Sequence, residues 1–519
     1  MNDFIISLML MGALSSGGSL PFWMYSNQYG LMPESSGALA VASIRSEYDP
    51  AKTLQWRFGA SLAANCGSTP LTNRVEGRSL SGGSTPLTNR SLSGAEGLSG
   101  AEGPTLTLIP SELYTGLKWK ALSLDLGLKH HDLDYYGADT PTLGSLSSTG
   151  GHILWTGNSR AIPGYTANLE PVAVPFTAGR VKVFGSWGDY RTFDNRYMKG
   201  ALLHRVKAGL DIKITERLDF HGEMDHYALW GGEGGGISMP VNLSNYFRVA
   251  TGRGASASGT TSDQLNVIGD QRGSELFRLN WRGNGWRLSF QHDIPYDDGS
   301  GMGFQNRPDG VNTLWFGFDR KDRWVTDVLY EYHYTMYQSG TRHDRPTTEK
   351  EREKLDPSDQ YHYWHHIIGG GDNYFNNGEY RSGWTYYGRT IGNPLLFPVG
   401  THAGTWTASQ VVLGVENNRL KAHHFGLAGK LFRKAPYKLM LTYSLNYGNY
   451  NNPYTGESQW GKPWGTVKET PLRQLSAAFV GEVPDLLRGL TLTYGLFADR
   501  GELLQDTVGA TIGLRYTIQ

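Results

Sequence analysis

From 372 to 394 the chain reads DNYFNNGEYRSGWTYYGRTIGNP, which sets Tyr374, Phe375, Tyr380, Trp384, Tyr386 and Tyr387 among Asp372, Asn373, Asn376, Asn377, Glu379, Arg381 and Arg389. This mixture suits sugars. Aromatic faces cover the apolar C–H faces of pyranose rings, while amides, carboxylates and guanidinium groups bond the hydroxyls. The candidate carbohydrate contacts are Asp372, Tyr374, Asn376, Asn377, Tyr380, Trp384 and Arg389. An interfacial aromatic girdle followed by a folded loop would have the same composition, so the segment supports the two readings equally.

Other clusters offer less. His221-Gly222-Glu223-Met224-Asp225-His226 lacks the spacing of a zinc-protease helix, and on a strand His226 faces away from His221, Glu223 and Asp225. The pairs His130-His131, His365-His366 and His423-His424 split across a strand in the same way. Glu223 and Asp225 would lie about 6.6 Å apart, near the short end of inverting-glycosidase separations. Barrel interiors hold such acids against Arg and Lys, and no tuned acid or nucleophile accompanies them. No catalytic residue is assigned, and a protein that is not an enzyme is expected. Glycine-rich 231–236 lacks the strand-turn-helix setting of a phosphate loop. The single cysteine, Cys66, forms no internal disulfide, and no metal or other cofactor is expected. Lys+Arg and Asp+Glu both number 48, which removes the electrostatic case for nucleic acid.

The elements that must position these residues are strands. Val508, Ala510, Ile512, Leu514, Tyr516 and Ile518 alternate with Thr507, Gly509, Thr511, Gly513, Arg515 and Thr517. Successive strand side chains point to opposite sides, so one face is apolar and the other polar. The pattern returns in Leu122, Leu124, Leu126 and Leu128, in Val206 through Ile214, and in Leu218, Phe220 and Met224. Phe277, Leu279 and Trp281 answer Trp286, Leu288 and Phe290 across Gly283-Asn284-Gly285, a turn composition suited to positive φ. Tyr330, Tyr332 and Tyr334, then Leu439 through Tyr447 and Leu490 through Leu496, continue it. Glycine is abundant, at 68 of 519 residues, and mean hydropathy is −0.42, which excludes a helical membrane protein. An all-β fold follows, a closed antiparallel transmembrane β-barrel with long loops, and the length allows about 16 to 18 strands.

No linker divides the chain. The apolar run from Phe4 to Leu14 has the length of a signal-peptide core, so 1–18 is expected as a signal-peptide remnant and 19–519 as the barrel. Within it, 65–104 reads as a low-complexity loop insertion, since GSTPLTNR occurs at 67–74 and again at 83–90. In the polar segment 341–360, Thr347-Thr348-Glu349 is expected to cap a short helix before Pro357.

Six strings, PFWMYSNQYG from Pro21, HILWTGNSRAIPGY from His152, KGALLHRVKAGL from Lys199, HYALWGG from His226, DDGSGM from Asp297 and YFNNGEYRSGWTYYGRTIGNPLL from Tyr374, carry a further signal. In number and order they resemble the capsule-assembly Wzi-like family of outer-membrane proteins. The resemblance implies an 18-stranded barrel in the bacterial outer membrane, partly exposed at the surface, that acts as a lectin organising capsular polysaccharide. Its expected partners are capsular or exopolysaccharide, outer-membrane lipid and, during biogenesis, the barrel-assembly machinery. A porin-like channel, lined by Asp211, Lys213, Asp219 and Glu223, and a passive polysaccharide export port are the alternatives. No segment reads as the periplasmic helical plug of some relatives.

Overall fold

Alternation of apolar and polar side chains closes into a barrel. The computed structural model describes residues 4–49, 51–67, 105–131, 136, 143–253, 267–297, 299–340, 343–353, 355–358, 360–401, 414–457 and 466–518; most of the repeat insertion, 68–104, lies outside them. Eighteen strands form one antiparallel sheet, and the first, Phe4–Ser15, pairs with the last, Thr507–Ile518, so the sheet has no free edge. The predicted hairpins are present. Gly283 N–H donates to the Trp286 carbonyl, and Gly285 takes the positive φ that its turn needs. Most outward side chains are apolar and bare: Leu10 and Ile512 are 61% and 65% exposed, as a wall in contact with lipid requires.

The first strand corrects the expectation at the N-terminal end. Residues 4–15 are not set apart from the barrel as a signal remnant would be; they pair on one side from Phe4–Ser46 to Ala13–Gly37 and on the other from Ile6–Ile518 to Ser15–Gly509. Losing them would expose two long unpaired edges. The run reads as continuously apolar because both faces are occupied by apolar groups. Leu8, Leu10 and Leu14 face outward, whereas Met9, Met11 and Ala13 pack inward against the filled lumen.

The two ends of the barrel differ. Short connections at 120–121, 214–217, 283–285, 432–434 and 488–489 mark one end, where the first strand also begins and the last finishes. Longer ones at 16–36, 129–163, 231–269, 335–419 and 447–471 crowd the other. Within 335–419 the helix Glu349–Arg352 carries the expected cap, with Thr348 and Glu351 closing a capping box. The largest hydrophobic cluster lies inside the barrel, built from loop residues such as Phe22, Trp23, Leu154, Trp155, Phe375 and Trp384.

Candidate functional site

Irregular backbone inside a barrel brings N–H groups that must find acceptors. Here three distant segments, 16–36, 143–163 and 372–401, satisfy one another. The Trp384 indole N–H donates to the Leu154 carbonyl at 2.5 Å, Thr156 N–H to Ile391 at 2.9 Å and Asn393 N–H to Ile153 at 2.8 Å. Phe22, on the short helix Phe22–Tyr25, packs its ring against Phe397 with centroids 5.4 Å apart. Together the segments form a plug at the long-loop end, made of loops rather than of a helical domain. The strings at 21–30, 152–165 and 374–396, far apart in the sequence, meet in it.

The wall holds this plug through inward carboxylates. Glu331 accepts from Ser147 Oγ at 2.5 Å, from Ser148 N–H at 2.9 Å and from Ser148 Oγ at 2.5 Å. Asp293 accepts from Ile153 N–H and Asp499 from Phe22 N–H, both at 2.7 Å. Asp309, just before strand Gly310–Phe318, accepts from Tyr337 N–H, Gln338 N–H and the Tyr374 hydroxyl at 2.9, 2.6 and 2.9 Å. Glu331 and Asp309 each serve several donors at once, since a carboxylate offers about four lone pairs. Sequence reasoning missed these docking acids. The only signal was a run of small residues, Ser147-Ser148-Thr149-Gly150-Gly151, that lets a loop approach the wall closely.

The candidate carbohydrate residues all lie in or beside the plug, and most are not open to a ligand. Tyr374 and Trp384 are fully buried, Tyr380 nearly so, and Asp372 and Asn376 are buried as well. Asp372 accepts from Ser339 Oγ at 2.6 Å, and Tyr380 O–H donates to the Gly231 carbonyl at 3.1 Å. Asn376 donates to the Val415 carbonyl and accepts from its N–H, at 2.8 and 2.9 Å, while Asn377 accepts from Glu379 and Tyr380 N–H to shape a turn. Arg389, half-buried, sets its guanidinium 4.6 Å from the Tyr25 ring centre. The polar groups expected to bond hydroxyls thus bond the protein's own backbone and side chains. Tyr387, outside the candidate set, is the aromatic of this segment that reaches the surface: it is 45% exposed, and the Arg160 guanidinium lies 4.3 Å from its ring centre.

Beside the plug, the inner wall leaves a small polar recess of about 100 Å³, lined by Asp125, Lys129, His131, Asn168, Arg205 and Lys207 among others. Its charges are paired. Arg57 grips Asp125 at 2.8 Å, Arg205 binds Asp225 at 2.6 Å, and Lys207 reaches Glu223 at 3.2 Å. Such a surface suits water or a hydroxyl-rich ligand. Glu223 also meets His152 and His221, and Tyr227 O–H donates to Asp225, so the two acids considered for glycoside chemistry are bound into the luminal network. On strand Leu420–Leu431, His423 and His424 face opposite sides, as alternation requires; His423 meets the Tyr330 hydroxyl and His424 the Leu146 carbonyl. Among the described residues no group of three or more His, Cys, Asp or Glu is arranged to hold a metal ion.

His131 stacks on Trp155 with centroids 4.4 Å apart and planes 10° from parallel. Burial, then the charges of Arg205, Lys207 and Lys129, hold its imidazole well below the usual histidine range. A base whose folded pKa is depressed adds stability above its unfolded pKa, about 6.5, and loses it as pH falls. The melting temperature of the detergent-solubilised barrel is therefore expected to drop as pH is lowered below 6.5. His131→Phe, which keeps the stack on Trp155, should flatten that slope; an unchanged slope would separate His131 from it.

No family model and no curated protein sequence matches the chain. Among solved structures it is similar to Wzi of Escherichia coli, described as an outer-membrane protein involved in group 1 capsule assembly and a carbohydrate-binding β-barrel. That match has 12% identity, covers 98% of this chain and 83% of the other, and gives a TM-score of 0.53. OccAB4 of Acinetobacter baumannii aligns at 9% identity over 99% of this chain and 98% of its own, with a TM-score of 0.41. OpdK of Pseudomonas aeruginosa aligns at 10% identity over 99% of both chains, with a TM-score of 0.42. At these identities the likeness concerns the fold, which is that of an outer-membrane barrel.

Proposed function

We propose that this protein is a member of the Wzi-like group and a lectin of the outer-membrane surface that retains and organises capsular polysaccharide. The observation that carries the reading is the plug: 16–36, 143–163 and 372–401 are hydrogen-bonded to one another and to the wall across the lumen. A porin needs a continuous water path, whereas a barrel that only displays a binding surface does not. The long-loop end is taken as the external one, since outer-membrane barrels put short turns in the periplasm. Expression of the chain in its own capsulated host, with and without a deletion, tests the reading by the fraction of polysaccharide kept on cells against that shed. Normal synthesis with increased shedding is expected in the deletion. Unchanged retention, or steady conductance of the wild-type barrel in planar bilayers, would move the channel to first place.

The sugar-facing residues are proposed at the lip of the plug, where Tyr387 offers an open ring and Arg160 and Arg389 supply planar donors. Stacking on one aromatic ring contributes on the order of 1 kcal/mol. Tyr387→Ala is therefore expected to weaken binding of purified polysaccharide about fivefold, with no change in melting temperature. Wild-type affinity in both Tyr387→Ala and Arg160→Ala would remove this lip from the site.

A further inference from the structure

Polar groups stand where the barrel's outer wall should be apolar. On strand Val181–Arg191, Asp189 shares its face with the exposed Val183 and Trp187, and on Leu202–Lys213, His204 shares its face with Leu210. Asp189 accepts from the Tyr165 hydroxyl and meets His204 Nδ1 at 2.7 Å. An acid and an imidazole facing hydrocarbon are costly unless something covers them. His204 is fully buried, and the helix Leu243–Ala250 covers it. Tyr246 of that helix donates to Asp189 at 2.9 Å, accepts from the Trp187 indole at 2.9 Å and sets its ring 5.3 Å from His204. Farther round the wall, the outward Gln271 donates to the Ile268 carbonyl at 2.8 Å, and Val249 and Ile268 pack with Ala228 and Trp230.

The helix therefore lies along the wall rather than above it. Trp187 is four residues from the end of its strand, about 13 Å down the barrel. Away from the wall the helix has two flanks. Leu243 and Phe247, one turn apart, are 72% and 57% exposed, and Ile237 and Val241 just before them are exposed as well. Ser244 and Arg248 occupy the other flank. Tyr246, next to Phe247 on the helix, bonds the outward Trp187, so the apolar flank lies at the top of the wall surface whose lower part carries Val183 and Leu210.

We propose that Leu243–Ala250 is an interfacial membrane helix. Its occupant is the leaflet at the long-loop end: Leu243 and Phe247 seat among acyl chains, Ser244 and Arg248 lie at headgroup level, and the wall-facing side roofs the Asp189–His204 pair. Short amphipathic helices bind the interface by this division of faces, and one of eight residues is held in place by packing rather than by its own propensity.

The test uses the full chain with Cys66→Ser as background, carrying Leu243→Cys, Phe247→Cys, Ser244→Cys or Leu210→Cys. Each is labelled with a fluorophore and reconstituted into phosphatidylcholine vesicles whose acyl chains are brominated. Leu210→Cys reports insertion of the barrel. Quenching at Leu243→Cys and Phe247→Cys is expected within about twofold of that at Leu210→Cys and about fivefold above that at Ser244→Cys. Quenching at both positions no stronger than at Ser244→Cys, with Leu210→Cys still quenched, would overturn the proposal. Cross-linking of Leu243→Cys between two copies with quenching lost would also overturn it, assigning the flank to self-association.

Discussion

Trp384→Ala is expected to destabilise the plug by about 3–5 kcal/mol, the cost of emptying a fully buried tryptophan site, and to raise the conductance of the barrel. The ring joins its own segment to the 143–163 segment and to the wall. Its N–H reaches Leu154 on the 143–163 segment, its edge meets Tyr227 on the wall at a centroid distance of 5.4 Å, and the Arg272 guanidinium lies 5.2 Å away on the other side. Alanine removes the packing and leaves the Leu154 carbonyl without its donor. Thermal melting in detergent measures the loss, and planar-bilayer recording the rise in conductance. Tyr387→Ala gives the contrast, since an exposed ring should alter binding and leave both quantities unchanged. A Trp384→Ala variant with wild-type melting and silent bilayers would mean that the 143–163 segment does not depend on this ring.

Most of the wall was legible in the sequence because contact with lipid forces an alternation of apolar and polar side chains. Leu122, Leu124 and Leu126 face outward as the pattern requires, and so do Val508, Ile512 and Leu514. The first strand was not legible, because Met9, Met11 and Ala13 meet the plug instead of water and erase the polar half of the alternation. In the plug, the strings could be read but their purpose could not. Asn376 and Tyr380 carry the groups that bond a sugar, and the same groups bond Val415 and Gly231 here. Composition does not tell a ligand's acceptor from a backbone one; only the path of the chain does. The exposed Tyr387 went unchosen because a neighbour in sequence, Trp384, has the same chemistry and the opposite burial.

Glu331 shows the same limit and carries the second large effect. Tyr330 and Tyr332 beside it were read as outward positions, which leaves an inward acid that looks like any luminal charge. In the structure it is fully buried, with His333 at 3.5 Å, and it docks Ser147 and Ser148. Glu331→Ala removes the acceptor for three hydroxyls, those of Ser147, Ser148 and Thr313, and one backbone N–H, and is expected to cost about 3–5 kcal/mol, as when one partner of a buried charged network is deleted. Glu331→Gln should be milder, near 1 kcal/mol. Its amide oxygen still accepts from Ser148 N–H, while its NH₂ turns to Ser147 Oγ, and a hydroxyl can accept where a backbone N–H cannot. Limited proteolysis distinguishes loss of docking from collapse of the wall. The 143–163 segment should become cleavable in Glu331→Ala, stay protected in Glu331→Gln, and in both cases leave the barrel resistant. Equal protection in wild type and Glu331→Ala would show that the segment is held by its apolar packing alone.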